Sequence, residues 1–172
     1  AEKIIEEKPS IVGCTSMFEQ HCASLALLQE IKKRDPNIVT MIGGANVEGP
    51  MGAVAHEAFP FLDYVVSGEA DEFFGELCQN ILTKDSHEFF LPDSVWGPQR
   101  RLAVPTNPGL SILESDDKKI GRGRLENMND SLPPNYDDYF LKALPNISFR
   151  QNLETDIPFE SSRGCWWGQK NH

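Results

Sequence analysis

The sequence predicts a three-layer α/β fold, a parallel sheet with helices on both faces. Three observations predict it. Apolar runs at about 10–14, 38–42 and 64–67 each end in a loop of small residues. A segment of helical periodicity follows each loop. The second run, Ile38–Ile42, is β-branched and broken only by Thr40, which suits a strand buried on both faces. The order strand–helix–strand–helix–strand–helix calls for right-handed crossovers. It also brings the three loops to one edge of the sheet, where ligands sit in open α/β folds.

The elements follow in chain order. Residues 1–9 are polar, read as the end of a helix, and are closed by Pro9. The first strand spans about Ser10–Cys14. The first long helix is expected from Met17 to Lys33, with Phe18, Cys22, Leu25, Leu28 and Ile31 on one face. Ser16 is placed to cap it, with Glu19 completing a capping box. The second strand runs into Gly43-Gly44-Ala45-Asn46. The second helix covers about 50–59, Pro50 in its first turn and Met51, Val54, Ala55 and Ala58 as its core stripe. The third strand, Tyr64–Ser67, leads into Gly68-Glu69. A third helix over about 71–82 is expected to bury Phe73, Phe74, Leu77, Cys78 and Ile81.

Three strands make a thin sheet, so an upstream strand pair is expected and the chain reads as an incomplete piece of something longer. An open sheet edge and an uncovered apolar helix face then predict self-association or a covering partner. From Thr83 the character changes. Prolines concentrate, Leu102–Val104 reads as a short strand, and residues 110–120 read as a hairpin around Ser115-Asp116-Asp117-Lys118. A short helix is expected over 136–144, with strands at 147–149 and 157–160.

Composition narrows the function. The chain has 172 residues and a net charge of −10, from 26 acidic and 16 basic residues. That balance argues against a nucleic-acid partner, which needs clustered Lys and Arg. No apolar run approaches the roughly 20 residues that span a bilayer, and no signal peptide is expected. Cys14, Cys22, Cys78 and Cys165 fall at irregular spacings and read as buried reduced thiols of a cytoplasmic protein. His21 and His56 lie on helices as surface or packing residues. The carboxylate runs read as solvated surface. No Gly-x-Gly-x-x-Gly follows a strand, which weakens a dinucleotide site. The strand ends lack the clustered acids of a phospho-receiver.

The three edge loops are where chemistry is expected. Small side chains let a bulky ligand approach the backbone. N–H groups at the following helix starts favour anionic groups, and Thr15, Ser16 and Ser67 add hydroxyls. A planar or nucleotide-like ligand over the strand ends is the expectation.

This arrangement resembles the cobalamin-binding module, a Rossmann-like (flavodoxin-like) fold. Thr15-Ser16-Met17 stands where that family has Ser-x-Leu, and residues 18–42 separate it from Gly43-Gly44, a gap of much the family length. The resemblance implies that Thr15 hydrogen-bonds the nucleotide tail of the corrinoid, that Met17 packs on it, and that Gly43 and Gly44 make room for it. Ser16, Ala45, Ser67, Gly68 and Glu69 complete the cofactor-binding set it implies. The family's cobalt-ligating Asp-x-His-x-x-Gly is not present.

Either the motif belongs to a removed upstream part, or the parent lacks it and binds cobalamin without a protein histidine; a second resemblance favours the latter. Asp63-Tyr64-Val65-Val66-Ser67-Gly68-Glu69-Ala70-Asp71-Glu72 is similar to a segment of the cobalamin-binding domains fused to radical S-adenosylmethionine enzymes, in which the histidine motif is typically absent. Residues 157–168, Ile157 to Gly168, look like a first barrel strand running into the cluster loop. There Cys165 implies one of three thiolate ligands to a 4Fe–4S cluster. The Trp166-Trp167-Gly168 version is most like the proteins that mature ribosomally made peptides. Such a cluster needs three thiolates with one iron open for S-adenosylmethionine, and the motif supplies Cys165 alone.

The expected organisation is therefore a cobalamin-binding α/β domain over 10–83, a linker with a β-hairpin and short helix over 84–150, and the start of a radical domain over 151–172. The expected parent is a cobalamin-dependent radical enzyme, a C-methyltransferase or peptide-maturation enzyme acting on a peptide or small molecule. The piece itself is expected to be non-catalytic. The competing expectation is a ligand-free α/β protein-interaction module.

Overall fold

The computed structural model describes residues 1–84, 88–100, 121–125 and 127–147, the last without the side chains of 143–147. The chain divides into two compact units, 1–125 and 126–172. In the first, α1 (Glu2–Glu6) precedes β1 (Ile11–Thr15), α2 (Gln20–Arg34), β2 (Val39–Gly43), a 3-10 turn (Ala45–Val47), α3 (Pro50–Ala58), β3 (Tyr64–Val66), α4 (Phe74–Thr83) and β4 (Val95–Trp96). The second unit contains a 3-10 turn (Met128–Asp130) and α5 (Asp137–Ile147). Ile147 closes this helix, where the sequence pattern starts a strand. The readings for 102–104, 110–120, 148–149 and 157–160, and Cys165, fall outside the described residues.

The sheet order is β1-β2-β3-β4. β1, β2 and β3 are parallel, with Val12 opposite Thr40, Thr15 opposite Gly43 and Ile42 opposite Val65. β4 is antiparallel to β3 and comes from the stretch assigned to the linker. Because β1, β2 and β3 are successive neighbours, both crossovers run in one direction and put their helices on one face. Leu28 and Ile31 of α2 and Ala53 and Ala55 of α3 pack there with Val12, Ile42 and Val65. Leu77 of α4 packs on the opposite face with Met41, Tyr64 and Val66. The three-layer α/β fold is what the pattern of elements predicts.

Several local expectations are corrected. α2 starts at Gln20, with no capping box, because the Ser16 side chain bonds elsewhere and Phe18 takes a left-handed φ of 47°. Gln20 Oε1 instead accepts from the Met17 N–H at 3.2 Å. Phe18 is 87% exposed and Cys22 is exposed, so neither belongs to the core stripe of α2. α3 is rotated from its expected face. It buries Gly52, Ala53, Ala55 and His56, while Met51 and Val54 face outward. A Cβ at Gly52 would lie 2.2 Å from the Val47 carbonyl oxygen, so a glycine here lets α3 come this close to the preceding 3-10 turn. On α4, Leu77 is buried and Phe74 is exposed.

The N-terminal end of the sheet is closed by a polar cluster. Asp63 Oδ2 accepts from Lys32 Nζ at 2.7 Å and from the Thr40 N–H at 2.8 Å. The Thr40 hydroxyl, fully buried, meets this carboxylate and the Phe61 carbonyl. These contacts tie the turn before β3 to the start of β2, and they supply the partners that buried polar groups require. Asp63 and Tyr64 open the motif segment, so its first residues serve the end of the sheet remote from the glycine loops.

Candidate ligand-binding site

At the opposite, C-terminal end the strands leave a cavity of about 290 Å³. It lies between the sheet and the start of α4. Gly13 and Thr15 of β1, Met41 and Gly43 of β2, Gly44, Val66 of β3, Gly68, Ala70 and Phe74 line it, along with Cys14. Alternation along β1 puts Gly13 and Thr15 on this face and the Cys14 side chain among the α2–α3 core residues.

The glycines of this slot divide by physical cause. Gly44 has φ 97°, and a Cβ there would sit 2.6 Å from the Ser16 carbonyl oxygen. Gly68 has φ 80°, and its Cβ would sit 2.4 Å from the Gly123 carbonyl oxygen. Backbone conformation and close approach dictate both. Gly13 and Gly43 are different. Both lie in strands, where glycine weakens the element. A Cβ on Gly13 would meet nothing within 4 Å, and one on Gly43 would make only ordinary contact, 3.6 Å from the Val66 carbonyl oxygen. Packing among the described residues demands neither, and both face the slot.

The loops around the slot are stitched together. The Ser16 N–H donates to the Gly43 carbonyl at 2.7 Å, and the Asn46 N–H donates to the Ser16 carbonyl at 3.1 Å. Ser16 is fully buried. Its Oγ lies 2.8 Å from His21 Nδ1 and accepts from Asn46 Nδ2 at 3.1 Å. Asn46 Nδ2 also donates to the Phe18 carbonyl at 2.9 Å. Ser67 is equally buried, and its Oγ accepts from the Gly49 N–H at 2.8 Å. Gly68 pairs with Gly123 as an isolated parallel bridge, Glu69 accepts from the Leu125 N–H, and Arg122 reaches Glu48 at 3.0 Å. Residues 121–125 therefore belong with the third loop.

Of the residues the family resemblance implies, Thr15, Gly43, Gly44 and Gly68 come together around the slot. Ser16 and Ser67 sit behind it with their hydroxyls engaged in loop contacts. Met17 is 42% exposed and is not part of the lining. Ala45 opens the 3-10 turn. Glu69 holds residues 121–125. Gly13, Met41 and Phe74 were missed by motif reasoning, while Ala70 lies in the third edge loop and in the motif segment. For Gly13 a signal existed, a glycine inside an apolar strand. Among the described residues, those lining the slot carry no carboxylate, ammonium or guanidinium. Burial pushes the Cys14 thiol up from its ordinary value, so it stays protonated at neutral pH.

A larger cavity, about 710 Å³, is an open apolar groove on the other side of the loops. Phe18, His21, Asn46, Met51, Val54 and Phe59 are among its lining residues. It exists because α3 turns its larger apolar residues outward. Among the described residues no group of three His, Cys, Asp or Glu is placed to hold a metal ion, and no helix is long and apolar enough to cross a membrane.

Over 92 residues the chain is 34% identical to the anaerobic magnesium-protoporphyrin IX monomethyl ester cyclase of Rubrivivax gelatinosus. The match takes in 54% of this chain and 16% of that protein, so the chain corresponds to a small part of this relative. No family model matches the chain, and no solved structure matches it.

Proposed function

We propose that the chain is the corrinoid-binding portion of a larger radical S-adenosylmethionine enzyme, with the slot at the strand ends holding the nucleotide tail of cobalamin. The observation that carries this reading is the pair Gly13 and Gly43. Each gives up strand stability, and neither is required by φ or by a neighbour among the described residues, so an outside group is the physical reason we infer for keeping their side chains absent. The neutral lining, the Thr15 hydroxyl at the rim and the apolar wall from Met41, Val66 and Phe74 suit a flat heterocycle. The correspondence of this chain to a small part of a long cyclase supports a larger enzyme as its setting.

In this reading the cobalamin supplies the organometallic chemistry when bound. The chain's own residues do the binding: the glycines admit the tail, Thr15 hydrogen-bonds it, and Phe74 covers it. The finer reading makes the parent a C-methyltransferase or peptide-maturing enzyme, by the Trp-Trp-Gly resemblance. Cluster binding is left to a complete set of three thiolates, of which Cys165 is one, and no step through a cluster is assigned to this chain.

The test is a titration of the purified chain with hydroxocobalamin, followed by visible spectroscopy and passage through a desalting column. Co-elution and a shifted spectrum are expected, and both should be lost in Gly13→Val. A spectrum that never shifts, or retention that Gly13→Val leaves intact, would overturn the assignment of the slot.

A further inference from the structure

We propose that Asn46 and His21, to which the family resemblance assigns no role, are the positioning residues of the slot and act through the buried Ser16. This rests on the corrinoid reading of the slot given above.

Four hydrogen-bonding contacts converge on Ser16. Its N–H goes to Gly43, its carbonyl receives the Asn46 N–H, and its Oγ meets both Asn46 Nδ2 and His21 Nδ1. The residues on either side of these contacts are those that line the slot: Thr15 precedes Ser16, and Gly43 and Gly44 precede the turn that carries Asn46. The spacing between the first two loops is thus set by Ser16 and Asn46, thirty residues apart in sequence. A ligand wedged between Thr15 and Gly43 depends on that spacing.

The donor count singles out a carboxamide at position 46. Both N–H bonds of Asn46 Nδ2 are spent, one on Ser16 Oγ and one on the Phe18 carbonyl. A carboxylate has no donor to offer either acceptor. With His21 Nδ1 unprotonated, the Ser16 hydroxyl donates to it while accepting from Asn46, and the serine is satisfied. The second contact of Asn46 has a visible consequence. Phe18 is held at a φ of 47°, a conformation that costs a non-glycine residue energy and persists where the surroundings over-determine it. The same side chain that spaces the slot loops therefore also fixes the residue before α2 begins its approach.

A merely structural role would lower stability without touching affinity, so the test separates the two. Hydroxocobalamin affinity of the 172-residue chain is measured for Asn46→Asp and His21→Ala at a temperature where far-ultraviolet circular dichroism shows every variant folded. Thr40→Val, which damages the polar cluster at the far end of β2, serves as the control for lost stability. Affinity is expected to fall about tenfold in Asn46→Asp and in the same direction in His21→Ala, with Thr40→Val within about twofold of the parent. Unchanged affinity in the first two variants, or an equal fall in Thr40→Val, overturns the proposal. If the parent chain binds no hydroxocobalamin, the corrinoid reading fails by itself. The backbone amide resonances of Gly43 and Gly44 then decide: displacement in Asn46→Asp but not in Thr40→Val upholds the positioning role, and unmoved resonances overturn it.

Discussion

The two ends of this parallel sheet are finished in opposite ways. At the N-terminal end, Lys32, Thr40 and Asp63 fill the space and satisfy one another. At the C-terminal end, Gly13 and Gly43 leave space that none of the described residues takes up. Both ends sit on the same strands, with β2 contributing Thr40 to one and Gly43 to the other. An end that only needs to be stable is packed and hydrogen-bonded. An end that leaves a slot behind two glycines in strands gives up some of that stability, and this is the contrast on which the proposed binding role rests.

The sharpest way to break this contrast is within the slot itself, by comparing glycines of the two kinds. Gly68→Ala forces a Cβ into the Gly123 backbone at a φ of 80°. It should cost about 3 kcal/mol in urea unfolding, since strain and displacement of residues 121–125 add. Next is the closed end. Asp63→Ala strips the acceptor from the Thr40 N–H and from Lys32, and should cost about 2 kcal/mol by the same measurement. Gly13→Ala should move the other way, gaining about 0.5 kcal/mol, because the strand conformation suits alanine and nothing obstructs it. A Gly13→Ala variant that loses stability as Gly68→Ala does would erase the distinction between the two kinds of glycine.

The smallest effect concerns cysteine reactivity. Burial raises the thiol of Cys14 and that of Cys78 above the ordinary value, so at a given pH each holds less thiolate than a free cysteine. Their alkylation by iodoacetamide should reach half its limiting rate at a higher pH than that of a model thiol. Cys22, exposed on α2, should be labelled before Cys14 and Cys78 at neutral pH in peptide mass mapping. Early labelling of Cys14 would mean that β1 is less well packed on its α2 side than described here.

Much of the fold was legible in local pattern. Ile11-Val12, Ile38–Ile42 and Tyr64–Val66 announced the three parallel strands, and each was followed by a helix of the expected kind. The faces of those helices were less legible. Met51 and Val54 look like a core stripe by spacing, yet Gly52 and Ala53 are the residues that let α3 approach Val47, so packing distance outweighed hydrophobicity. Phe18 looked like the first core residue of α2, yet Asn46 holds it in a left-handed turn outside the helix. β4 was invisible for a plain reason: two residues, Val95 and Trp96, carry no readable periodicity, and their strand exists through pairing with β3.

Residue order alone thus established the βαβ succession and the edge at which the small-residue loops gather, because strand runs, helical spacing and glycine breaks are signals carried within a few neighbours. Which hydroxyl faces the slot was settled only by the folded chain. Thr15 and Ser16 are adjacent and chemically alike, but Ser16 is drawn behind the slot by an asparagine thirty residues away. A contact of that separation leaves no trace in local pattern, since it exists only once β1 and β2 lie side by side.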